Sequence, residues 1–88
     1  MTPTDYTADR YNDASLSFEH QATELRKTAD LHDVTAKLKT PGSPGRPFLR
    51  EIAHQTRQAA AFADQAAAHL RWASILAADE YDRVNQPF

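Results

Sequence analysis

Thr40-Pro41-Gly42-Ser43-Pro44-Gly45-Arg46-Pro47 is the stretch that decides the fold of this chain. Three of the five prolines and both glycines fall within these eight positions. Proline removes a backbone donor and fixes φ, while glycine opens the left-handed region. A cluster of both ends one helix and redirects the chain before the next can start. On either side lie two segments of similar length with helical periodicity. The layout predicts an all-α hairpin: two long antiparallel helices, about 3–39 and 47–84, joined by a turn at 40–47, in a single domain over 1–88.

Working back from the turn, Lys37 and Lys39 place cations where a helix C-terminus is negative. Further back, Tyr11, Ala14, Phe18, Ala22, Leu25 and Ala29 recur at steps of three and four, one apolar stripe on a helix. Thr2 and Pro3 suit the N-cap and first helical position, and Asp5, Asp9 and Asp13 follow near the positive end. Leu16, Leu31, Val34 and Leu38 lie nearly opposite that stripe at 100° per residue. With no Gly or Pro near Thr28-Ala29-Asp30, the helix is expected to be continuous and to carry a second apolar face.

Forward from the turn, Leu49, Ile52, Ala53, Thr56, Ala59, Ala60 and Ala63 begin a near-heptad seam that continues through Ala67 and Leu70 to Tyr81. Phe48, Phe62 and Leu76 widen it on one side. Alanine is the strongest helix former, and its small side chain lets two helix axes approach closely. Larger residues of the first helix (Tyr11, Phe18, Leu25) are then expected to fill the space opposite. Folding about the turn should pair positions whose numbers sum to roughly 87, with Tyr11 near Leu76, Leu25 near Phe62 and Leu38 near Leu49.

Two helices cannot cover all of this apolar surface. Leu16, Leu31, Val34, Phe62, Trp72, Ile75 and Leu76 cannot all face one partner helix, and burial of each such side chain stabilises by about 1.5–3 kcal/mol. A homodimer forming a four-helix bundle is the expected assembly, and a complex with another protein is the alternative. The expected function is that of a small non-catalytic interaction module: an adaptor, regulator or assembly component.

Bulk composition fits this reading. An 88-residue chain is marginal alone, and with no cysteine it has no disulfide to help. A net charge of −2 gives no global attraction to nucleic acid or anionic membrane. No apolar run approaches the roughly 20 residues of a membrane span, and Met1–Asp5 has no basic n-region, so a cytoplasmic location is expected. Alanine-rich, Arg-over-Lys usage fits a GC-rich bacterial or phage genome.

Chemistry-bearing motifs are sparse. There is no nucleophile elbow and no Gly-rich phosphate loop, so no enzyme activity and no cofactor are expected. Glu51-Ile52-Ala53-His54 has the Glu-x-x-His spacing that supplies metal ligands in di-iron bundles, with His32 and Asp33 brought near by the hairpin. Glu51 and His54 nevertheless point away from the Leu49–Ala63 seam. Lys37, Lys39, Arg46 and Arg50 form a basic tip with no acid among them, suited to phosphate contact. Recognition-helix spacing and interleaved aromatics are missing from that tip. A nucleic-acid-associated regulator and a metal-binding bundle therefore stand as alternatives to the interaction module.

Overall fold

A computed structural model of the chain describes residues 5–85, with side chains from Thr7 to Val84. Two helices, α1 (Asp5–Leu38) and α2 (Gly45–Asn85), pack against each other as an antiparallel hairpin. No strand occurs among the described residues. The caps expected at Thr2 and Pro3 lie outside them. α1 runs unbroken through Thr28-Ala29-Asp30, as the absence of Gly and Pro there implies. Thr28 and Thr35 lie inside it because each hydroxyl donates to the carbonyl four residues back, Glu24 at 3.0 Å and Leu31 at 2.9 Å.

The turn follows from its residues. Ser43 N–H donates to Thr40 C=O at 2.9 Å, with Pro41 and Gly42 as the central pair. Gly42 has φ of 85°, so this is a type II turn, with proline at its first central position and glycine at the left-handed second. Arg46 N–H then donates to Ser43 C=O at 3.1 Å, and the chain winds directly into α2. α2 therefore starts at Gly45, ahead of the start at 47 expected from sequence. Pro47 falls in its first turn, where a missing amide costs nothing because no intrahelical acceptor faces it.

Contacts divide the chain into two compact units. The first takes α1 up to Glu19 and α2 from Asp64; the second is His20–Ala63, turn included. In the first unit, Ser15 is fully buried and its Oγ donates to Ala67 C=O at 3.0 Å. Ser74 Oγ donates to Ala8 C=O at 2.9 Å. In the second unit, Ala22, Ala29, Ala36, Ala53 and Ala60 have no exposed surface.

These residues recur every seven positions: Ser15, Ala22, Ala29 and Ala36 on α1, and Ala53, Ala60, Ala67 and Ser74 on α2. The seam is thus small against small. Such a repeat brings the backbones close enough for a serine hydroxyl to reach the opposite carbonyl. The interhelical hydrogen bonds join residues whose numbers sum to 82 in the first unit, Ser15 with Ala67 and Ser74 with Ala8, and to 87 in the second, Arg57 with Asp30. Leu38 and Tyr11 are exposed, at 82% and 39%. The buried line of α1 shares Ala22 and Ala29 with the expected apolar stripe, whose Phe18 and Leu25 are half-buried.

Candidate interaction surface

The seam is bordered differently on its two sides. Measured from Ala60 at 100° per residue, Arg57 lies about 60° to one side, while Ile52 and Ala59 lie about 80–100° to the other. On the first side charge dominates. In the second unit, Arg57 Nη2 reaches Asp30 Oδ1 at 2.9 Å and Asp33 Oδ2 at 2.6 Å. The hydrogen bonds it donates to Asp30 and then Asp33 hold its pKa above the usual guanidinium value. Arg71 pairs with Glu19 in the first unit. Exposed pairs of this kind contribute about 0–1 kcal/mol each, so they orient the helices more than they hold them.

On the other side, the second unit has an open groove of about 370 Å³ lined by Leu25, Phe48, Glu51, Ile52, Gln55, Thr56 and Ala59. A smaller groove on α1, lined by His20, Gln21, Glu24, Leu25 and Thr28, shares Leu25 with it. Within the second unit, the side of α2 that carries Phe48, Ile52, Gln55, Thr56, Ala59 and Phe62 bears a single charged residue, Glu51, which also lines the groove. Phe48 is 68% exposed and Phe62 66%. Thr56 meets its own hydrogen-bonding need by donating to Ile52 C=O at 2.7 Å, which leaves its methyl for the groove.

All seven residues singled out from sequence for association are exposed: Leu16, Leu31, Val34, Phe62, Trp72, Ile75 and Leu76. In the second unit, Phe62 lies on the groove side of α2. Leu25, Phe48 and Ile52, which line the groove, were not among them. Their signal was the scarcity of charge along one side of α2 in the second unit, where Glu51 stands alone, which a search for surplus large residues passes over.

The residues considered for a metal are not brought together. His32 and Asp33 are half-buried, while Glu51 and His54 are exposed. Asp33 is committed to Arg57, and Glu51 accepts the Gln55 amide at 2.9 Å. Among the described residues no three His, Asp or Glu side chains converge as a metal would require. At the tip, Lys37, Lys39 and Arg50 are exposed, but Arg46 is half-buried with its Nε buried and unbonded. Arg46 sits seven residues before Ala53, on the seam line itself, and so is withdrawn from the basic tip. No helix among the described residues is long and apolar enough to cross a membrane. No family model matches this chain, and neither a curated protein nor a solved structure does.

Proposed function

We propose that this chain is a non-catalytic protein–protein interaction module that works as an oligomeric helical bundle, with a homodimer as its basic form. One observation carries the reading: among the described residues the largest fully buried side chain is that of Ser15, while eleven large hydrophobic residues are exposed. Alanine seams close helices together but remove little apolar area from water, at roughly 0.8 kcal/mol per buried methylene-sized group. The side chains worth more are outside. The chain exposes 6521 Å², roughly 1,300 Å² more than expected of a compact monomer of 9.9 kDa. A standard interface takes about 800 Å² from each partner, so the excess suffices for one. Trp72 and Ile75, exposed in the first unit, are suited to a further protein partner. Neither the basic tip nor the Glu51–His54 spacing gains an observation in favour of the nucleic-acid or metal alternative.

Light scattering and sedimentation equilibrium across micromolar to millimolar concentration test the proposal. A dimer is expected, with helicity that falls on dilution. A folded monomer at millimolar concentration would overturn it.

A further inference from the structure

We infer that the first unit docks a basic amphipathic helix of another protein, on the side that carries the Glu19–Arg71 pair; the inference rests on the interaction-module reading above and names the chemistry of its further partner. The two units differ in charge. The first holds eight acids and three bases, a net −5; the second holds four acids and seven bases, a net +3, and together they make the −2 of the whole chain. An excess of acid on one small unit attracts cationic partners across roughly 8 Å, the Debye length at physiological salt.

The acids flank an apolar strip. Leu16, Trp72 and Ile75 are 53%, 60% and 46% exposed. At 100° per residue, Leu16 lies about 100° from Ser15 on α1, and Ile75 and Trp72 lie about 80° and 140° from Ala67 on α2, all toward the side of the Glu19–Arg71 pair. Residues joined across this unit by hydrogen bonds have numbers that sum to 82, which sets Leu16 level with residue 66. From that level to Ile75 the strip runs about 14 Å, between two and three turns of a docked helix. Asp9 and Asp79, both exposed, lie about 120° from Ser15 and Ala67 on the same side. Neither is held in an ion pair among the described residues. Trp72 offers a lysine or arginine the face of its ring as well as apolar area.

Charge selects the occupant. A second copy of this face would set acid against acid. The second unit of another copy, at +3, would leave the −5 unit acidic, and it arrives on a chain whose own net charge is negative. A helix with leucine-like residues on one side and lysine or arginine beside them supplies what the strip lacks, an apolar cover and positive charge together.

Trp72 is the only tryptophan of the chain, so its emission reports on this face. The unmodified chain is titrated with a leucine–lysine peptide of helical period and about 18 residues, five turns, with no aromatic residue. Two controls match it: a leucine–glutamate peptide of the same period, and a leucine–lysine peptide of the same composition shuffled to spread leucine over all sides. The expected result is a saturable blue shift with the first peptide alone, about tenfold weaker at about 0.5 M salt than at about 0.05 M. Asp9→Asn with Asp79→Asn should weaken binding about fivefold, and Leu16→Ser about tenfold, with helicity retained by circular dichroism. No shift, an equal response to the shuffled peptide, or indifference to salt and to the two asparagines would overturn the proposal. A blue shift that grows with the concentration of the chain alone would make a second copy the occupant, which overturns it while self-association stands. If light scattering shows a monomer at millimolar concentration and the peptide still saturates the shift, the dimer falls and this face stands.

Discussion

The two sides of the second unit's α2 segment follow opposite size rules. Toward α1, Ala53 and Ala60 are fully buried, and Leu49 and Thr56 beside them are half-buried. Less than half a turn away, Phe48 and Phe62 are about two-thirds exposed. In a self-sufficient domain the large residues occupy the interior and the alanines fill in. Here the interior is built for closeness and the exterior for area. The contrast separates two tasks: the seam fixes how the helices meet, and the outer side supplies the burial that such a seam cannot.

Overfilling the seam should break this contrast most severely. Ala60→Leu puts a branched side chain between backbones in near contact, and the cost is expected to be about 3 kcal/mol. Thermal and urea unfolding followed by circular dichroism measure it. An unchanged midpoint would show that the helices are not closely packed there. Next in size is Phe62→Ser on the outer side. It should weaken association by about 2 kcal/mol, roughly 30-fold in Kd, with helicity at high concentration retained. Loss of helicity in place of association would assign Phe62 to the monomer fold.

Ser15→Ala tests the seam gently. The replacement fits the space, and only the hydroxyl's bond to Ala67 C=O is lost, so destabilisation should be about 1 kcal/mol or less. A larger loss by urea titration would mean that the hydroxyl sets the register as well as filling a site.

The smallest effect concerns acid. Arg83 hydrogen-bonds Glu80 and lowers its carboxyl pKa below the ordinary 4.5. A group with a lowered folded-state pKa stabilises above its unfolded value, and the contribution disappears as pH falls through the lowered one. Mild loss of helicity below about pH 4.5 is therefore expected. Arg83→Gln should return the Glu80 carboxyl toward its ordinary value in an NMR titration. No movement would remove the pair from the acid response.

The hairpin was legible because its determinants are local. Pro41 and Gly42 specify the turn by their own dihedrals, and a helix without Gly or Pro continues. The register was not legible from large residues. Tyr11, Phe18 and Leu25 drew attention in the apolar stripe, yet its alanines, Ala22 and Ala29, are the fully buried members, in line with Ser15 and Ala36, which the stripe left out. Periodicity scores reward hydrophobicity, and a serine in a line of alanines carries little of it. The clue was a repeat of size, every seven residues on both helices. Arg46 was grouped with the tip cations by its charge, while its position also sets it on the seam line, where it is half-buried. The groove depended on where charge is sparse, and a single position does not show that.

A seam of equal small residues has no teeth. Shifting one helix past the other by seven residues would set alanine on alanine again, so packing alone gives the hairpin several nearly equivalent detents. What selects one is the short tether of the Pro41-Gly42 turn and the latching of two hydroxyls, Ser15 and Ser74, onto opposite carbonyls. A longer, glycine-rich linker in place of the turn would make the pair a ratchet, free to slide in steps of one heptad.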